Sequence, residues 1–355
     1  MRPDRHAPDR RPDRLGGGWP ADWLGGAPRV AVLGIGLIGG SVLQAAARAG
    51  AEVVGIDPDP GTAAAAAAAG FEVADDVGAA VHGADLVVLA MPLPEVEPAL
   101  RSVAALLSPD AVLTDVGTLK QPVLAAVRAH HPRAAFVGGH PLAGVEETGW
   151  AAADPDLFRD APWALTLEHD TRLDAWLRVA DFVCRLGARP VPTSAAEQDA
   201  AVARVIGLPH VLAEALALTG LAGGPLGLSL AAGSYRSGSR VARTRPELVT
   251  TWCDDNPALV TALDDAIAHL REARDALAQH SSILPLAQAG HRARMEWEQR
   301  GGTQVVLAAD APQLREHGAR GGWLTAVERD PAGVVRLRGV TPTVVPYTGQ
   351  VRQRG

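Results

Sequence analysis

Lysine is almost absent from this chain. Of 33 basic residues only Lys120 is a lysine, so arginine carries nearly all of the positive charge. With so much alanine, glycine and proline, the pattern reads as a GC-rich coding bias rather than an adaptation. Cysteine is as scarce: Cys184 and Cys253 lie in separate segments and fit no disulfide or metal spacing, so a reducing, cytoplasmic setting is expected. The net charge of −7 gives no reason to expect nucleic acid or an anionic membrane as partner. Residues 1–28 are rich in Pro, Arg, Asp and Gly and contain no apolar segment. They read as a disordered leader, or a misplaced start codon, and not as a signal peptide. The one apolar run near membrane length, residues 211–233, contains Glu214 and the Gly223-Gly224-Pro225 break. A buried helix pair is expected there rather than a membrane span. His130, His131 and His169 have no companions at ligand spacing, so no metal is expected.

What the chain does have is length for two domains, at 355 residues, and a 47% hydrophobic share that suits a sizeable core. Its organising stretch is residues 29–57, RVAVLGIGLIGGSVLQAAARAGAEVVGID. A short apolar run ends at Gly34, and Gly34, Gly36 and Gly39 supply the spacing G-x-G-x-x-G before a helix-forming run. Gly34 permits the tight turn, Gly36 lets a pyrophosphate lie against the backbone, and Gly39 lets helix and strand pack closely. The N–H groups of Leu37 and Ile38 at the helix start then face the phosphates. Asp57 stands 21 residues after Gly36, where a carboxylate accepts from both ribose hydroxyls and repels a 2′-phosphate. NAD is the expected cofactor.

Further apolar runs at residues 85–90, 111–114 and 135–138 alternate with helical runs, the pattern of a parallel, doubly wound sheet. Ligands on such sheets bind beyond the carboxyl ends of the strands, which singles out residues 34–41, Met91 and Pro92 with their neighbours 93–94, and the loops 115–120 and 139–149. One more strand is expected at 162–167 and a last short one from Val191. Residues 195–300 then read as helix after helix, and 303–355 as a small appendage with strands at 304–308 and 333–337. The expected architecture is therefore α/β: a Rossmann-type doubly wound parallel sheet over 29–192, followed by an all-α domain over 193–302.

Two strand-end loops hold the reactive groups: TDVGTLK at 114–120 and GGHPLAGVEETG at 138–149. Beside a nicotinamide, His140 is placed to take the proton of a substrate hydroxyl as hydride leaves the same carbon. On position alone, a strand-end histidine satisfied by backbone groups serves equally well. Asp115 is expected to cap backbone N–H groups, and Lys120 to approach a carboxylate or phosphate of a bound ligand.

With GxGLIGGS at 34–41, LPH at 208–210 and YRSGSR at 235–240, these loops make five motifs in one order. Over roughly residues 29–300 the chain resembles the prephenate/arogenate dehydrogenases of tyrosine biosynthesis. The resemblance implies hydride transfer from ring C4 to NAD followed by decarboxylation, with prephenate slightly favoured as substrate and arogenate or dual use open. It implies His140 at the C4 hydroxyl, Thr118 as the hydroxyl that orients it, and Arg240 on the ring carboxylate. His210 would lie near the substrate side chain and Glu146 in an ion-pair network controlling access. Some members have histidine where this chain has Gln198 and Gly207, positions around the substrate side chain. The resemblance and the apolar helices together imply a homodimer through the helical domain. Many relatives end in an ACT domain, but residues 303–355 lack a clear βαββαβ pattern, so no full ACT domain is expected. The β-hydroxyacid and 6-phosphogluconate dehydrogenases share the glycine-rich start, but they use a lysine on a later helix. No lysine follows Lys120. A non-catalytic NAD sensor would be expected to have lost His140, Thr118 or Arg240.

Overall fold

The computed structural model describes residues 27–145, 147–330 and 333–343. Nearly all of the expected leader, and Glu146, therefore lie outside the described residues. Six strands form the first sheet: β1 (Arg29–Leu33), β2 (Glu52–Ile56), β3 (Glu72–Val73), β4 (Leu86–Leu89), β5 (Val112–Asp115) and β6 (Ala135–Val137). They are all parallel, in the order β3-β2-β1-β4-β5-β6. Each central strand is buried on both faces, which is why it is a continuous apolar run. Val30 and Val32 of β1 point into one core cluster, whereas Ala31 and Leu33 point into the other. The strand order reverses direction between β1 and β4, so the crevice for a ligand opens at their carboxyl ends.

The chain then leaves this sheet. Strands β7 (Gly139–Pro141), β8 (Pro162–Thr166) and β9 (Arg189–Thr193) form a second sheet in which β7 runs antiparallel to β8 and β8 parallel to β9. The GGHP motif is thus itself a short buried strand, not only a loop. Ser194 opens the helical region with a reciprocal capping box to Glu197. Helix Ala195–Val202 continues through a π-helical turn, Ala203–Gly207, into helix Leu208–Ala222.

The expected burial of this apolar stretch is not met. By length and composition Ala195–Ala222 is long and apolar enough to cross a membrane, and only 17% of its most apolar window is buried. Leu218 and Leu221 are 68% and 60% exposed, and Leu226 and Leu230 just beyond them are more so. The local core of this region is small: Ala203, Leu259 and Ala262, with a few partly buried neighbours. Its long helices, Ala258–Ala278 and Leu284–Gln299, are mostly exposed as well.

The appendage is more ordered than its sequence pattern suggests. It runs β10 (Gly302–Ala308), a helix Ala311–Ala319, β11 (Trp323–Arg329) and β12 (Val335–Pro342), in sheet order β10-β12-β11. The helix and β11 went unread in the sequence, although Asp310 caps that helix through Gln313 N and a proline stands in its first turn. The unit packs on β9 and the helix Leu173–Arg185. Leu314, Leu324 and Leu337 join the same core cluster as Val30 and Trp176.

A Cβ at Gly318 would overlap the Pro192 carbonyl oxygen. Gly318→Ala is therefore expected to lift the appendage helix from β9 and cost about 1–3 kcal/mol. A lower melting temperature with faster proteolysis near residue 300 is the expected reading; an unchanged melting curve would count against the contact.

Candidate active site

Every cofactor position read from the sequence lies at one end of the parallel sheet. Gly34 has φ +89°, and a Cβ there would stand 2.6 Å from the Ala90 carbonyl oxygen, so the turn sits flush against the end of β4. Met91 and Pro92 follow directly. A Cβ on Gly39 would overlap the Gly34 carbonyl, so the helix Leu37–Arg48 can pack this closely only with glycine there. Gly36 is the exception: a Cβ there meets nothing within 4 Å. As the N-cap of that helix it offers no side-chain bond, which leaves the first-turn amides of Leu37, Ile38 and Gly39 to a ligand. Half-buried Asp57 directly follows β2, with Oδ2 accepting from Ile35 N at 2.8 Å and Oδ1 from Asp59 N at 3.0 Å. An open backbone cradle, uncapped amides and an acid at the second strand end fit a dinucleotide.

The second cluster is built under the histidine. Lys120 and Asp115, both 1% exposed or less, form a buried ion pair. Lys120 Nζ also donates to Gly139 O at 2.6 Å, while Asp115 accepts from Gly139 N at 3.1 Å and from Gly117 N at 2.9 Å. The only lysine therefore clamps the backbone one residue before His140 and does not face a bound ligand, which corrects the sequence expectation. Burial raises the Asp115 carboxyl and lowers the Lys120 amine, each opposed by the charge of the other. Gly138 and Gly139 leave room for this clamp. A Cβ on the first would press on Thr166 and Lys120 Cδ, and on the second would come within 2.5 Å of Asp115 O.

His140 is itself 5% exposed. Burial, and then the charge of Lys120, pull its pKa down to about 3, so it is neutral at physiological pH. The side chain on its ring is Gln198, whose Nε2 lies 2.8 Å from His140 Nδ1 and donates to Thr118 O at 3.0 Å. Thr118 thus joins the site through its carbonyl. Gln198, a position that the resemblance puts around the substrate side chain, bonds the histidine here. The next residue, Asp199, accepts from Lys120 N at 2.7 Å and Gln121 N at 2.9 Å, capping helix Gln121–His130 from the helical region. Nothing in the local sequence signals these contacts, which span 58 to 80 positions.

His210 and Arg240 come together in a third cluster. The 3-10 turn Arg240–Arg243 packs on helix Leu208–Ala222, and the Val241 backbone and the Arg240 charge both act on the His210 ring. Burial lowers the His210 pKa, its Nδ1 has no partner, and its ring lies 4.9 Å from that of Trp252. This cluster and His140 both draw on the same helical run. The two are linked by the one bent helix that carries Gln198 and His210. Gly207 is taken up by packing, since a Cβ there would press on Leu259.

A dinucleotide cradle at the reversal point of a parallel sheet, with a neutral imidazole clamped at the neighbouring strand ends, defines an NAD-dependent dehydrogenase. Residues 42–191 match the family model described as prephenate dehydrogenase, nucleotide-binding domain, and residues 194–282 match prephenate dehydrogenase, dimerization domain. The cyclohexadienyl dehydrogenase of Zymomonas mobilis is 33% identical over 264 residues, covering 70% of this chain and 88% of that protein. A crystal structure from Corynebacterium glutamicum, described as a candidate prephenate dehydrogenase, is 40% identical with a TM-score of 0.73, covering 76% of this chain and 89% of that one. The arogenate dehydrogenase structure from Synechocystis is 28% identical with a TM-score of 0.68, covering 76% and 99%. This chain belongs to the prephenate dehydrogenase family.

The low pKa of His140 has a consequence for stability. The unfolded chain protonates this histidine below about pH 6.5, whereas the folded chain resists until about pH 3. Stability is therefore expected to fall as pH drops from about 6.5, by up to about 1.4 kcal/mol per pH unit from this group. Denaturant titrations between pH 4 and pH 7 would measure that slope. His140→Asn should flatten it; an equal slope in the variant would remove His140 as its source.

Proposed function

We propose that this enzyme carries out the NAD-dependent oxidative decarboxylation of prephenate to 4-hydroxyphenylpyruvate in tyrosine biosynthesis, with arogenate as the second candidate substrate. The observation that carries the reading is the neutral, clamped His140 at the strand ends beside the dinucleotide cradle. When bound, NAD supplies the hydride acceptor. The amides of Gly36, Leu37, Ile38 and Gly39 would hold its pyrophosphate in the turn that Gly34 shapes, Asp57 would take the ribose hydroxyls, and Met91 and Pro92 would wall the crevice. His140 contacts the C4 oxygen of the substrate, and Thr118 stands beside it. Arg240 pairs with the ring carboxylate, where a planar fork suits a planar anion. His210 and Glu146 guard the side-chain end. The domain boundaries read from the sequence, 29–192, 193–302 and 303–355, are part of this proposal.

The exposed leucines of the long helix and its neighbours make up the homodimer face, in keeping with the dimerization domain matched there. A second copy accounts for this apolar surface better than a bilayer does, because the same helix caps the first domain through Asp199. Two free cysteines, both partly buried, suit the cytoplasm.

Light scattering of the purified chain is expected to give twice the monomer mass; a monomer at micromolar concentration would remove the dimer assignment. NADH absorbance is expected to rise with prephenate or arogenate and NAD, and much less with NADP. His140→Ala should lower kcat about 10²- to 10⁴-fold. Failure of both substrates with NAD would overturn the reading.

A further inference from the structure

The cluster around His210 holds an acid to which the proposed reaction gives no role. Glu214 stands one helical turn beyond His210 in helix Leu208–Ala222, so the two share one face, with Cβ atoms about 5–6 Å apart. Its negative charge acts on the His210 ring, as do the Val241 backbone and the Arg240 charge. Glu214 is nevertheless half-buried, and among the described residues its carboxylate makes no hydrogen bond or ion pair. Leu212 and Leu216, 40% and 38% exposed, both lie further out than the acid between them. That reverses the order of an ordinary surface helix, in which the charge faces water and the leucine faces inward. A carboxylate partly withdrawn from water without a partner costs free energy, which a cation arriving with a ligand would offset.

His210 offers a lone pair beside it. Burial holds its pKa below the usual histidine value, so the ring is neutral at physiological pH. A neutral imidazole has one N–H and one acceptor nitrogen. The Val241 backbone raises the pKa of the ring, which a carbonyl does by taking a ring N–H, and the other nitrogen then presents its lone pair. The two positions where relatives carry a histidine near the substrate side chain add no donor here. The Gln198 amide is engaged by Thr118 O and His140 Nδ1, and Gly207 faces Leu259.

We infer that Glu214 and His210 form an acceptor pair for an ammonium group, so that the side-chain end of the site selects the substrate bearing an amino acid, arogenate, over its keto counterpart, prephenate. The inference rests on the proposed function, whose reaction is the same with either substrate, and it reverses the order in which resemblance alone places the two. An ammonium brings three N–H donors and a positive charge, enough to serve the carboxylate and the imidazole lone pair together. The keto oxygen of prephenate only accepts, so it would face two acceptors with no hydrogen to share. Such a site discriminates strongly, because the wrong ligand leaves its polar groups unpaired. The side-chain carboxylate and the ring carboxylate are common to both substrates and do not separate them.

The test compares kcat/KM for arogenate and for prephenate, each with NAD, in the wild-type chain, Glu214→Gln and Glu214→Asp. The wild-type chain is expected to prefer arogenate by at least about 10-fold. Glu214→Gln keeps the shape and removes the charge. It should lower kcat/KM for arogenate about 10- to 100-fold, mainly through KM, and leave prephenate unchanged or improved. Glu214→Asp, which keeps the charge, should retain part of the preference. Tyrosine and 4-hydroxyphenylpyruvate, the two products, should divide in the same way as competitive inhibitors, which reads binding without turnover. A wild-type preference for prephenate overturns the inference and leaves the reaction standing. So does an equal loss on both substrates in Glu214→Gln. A changed assembly mass in that variant with an unchanged preference would assign Glu214 to the dimer face instead. Activity on neither substrate overturns the functional reading, and this inference with it.

Discussion

The pairing of Lys120 with Asp115 sits where water cannot reach, and the site is built outward from it. Two charges held in such a place need each other: removing one strands the other, at a cost of about 3–5 kcal/mol. Here the pair is also a spacer. Asp115 ends β5, Lys120 precedes the next helix, and between them they grip both the N–H and the C=O of Gly139. The backbone that carries His140 is therefore fixed to the parallel sheet from below. The two glycines of the motif follow from this clamp, because any side chain at 138 or 139 would collide with it. The same lysine charge helps keep His140 neutral.

The helical region is tied to this centre by two adjacent residues. Gln198 reaches the ring of His140 and Asp199 caps the helix that Lys120 begins. Asn256 in turn donates to the Asp199 carbonyl at 2.9 Å and caps Ala258 N with its own oxygen. A chain of polar bonds thus runs from the ion pair, through the long bent helix, to the start of helix Ala258–Ala278. The helix that completes the histidine's surroundings is also the one whose outer face is rich in exposed leucine.

The parts of this protein legible in its sequence are those governed by local rules. The glycine spacing, the apolar runs of the central strands and the acid following β2 each state a geometric need within a few residues, and the structure meets them. The histidine was legible as a strand-end residue in a specific motif. The direction in which Lys120 points was not, because a lone lysine near a ligand-binding edge has no local sign of being buried. Nor was the partnership of Gln198 with His140, which is made only by the packing of two distant segments. Apolar periodicity shows that residues 211–233 must be covered, but not by what, and within the single chain the expected helix pair is left largely exposed. The appendage was underread because strands such as Trp323–Arg329 mix apolar and charged residues, so their alternation is weak over so short a run.

Leu314, Leu324 and Leu337, near the far end of the chain, fill the same interior as Val30 at its beginning. During synthesis, domains tend to fold in turn from the amino terminus. Here one flank of the nucleotide-binding unit stays open until the last strand has left the ribosome. The intervening helices, with their leucines bare, must wait in the meantime. Ribosome-bound chains of this protein carry both hazards at once, an unfinished core and an exposed apolar helix.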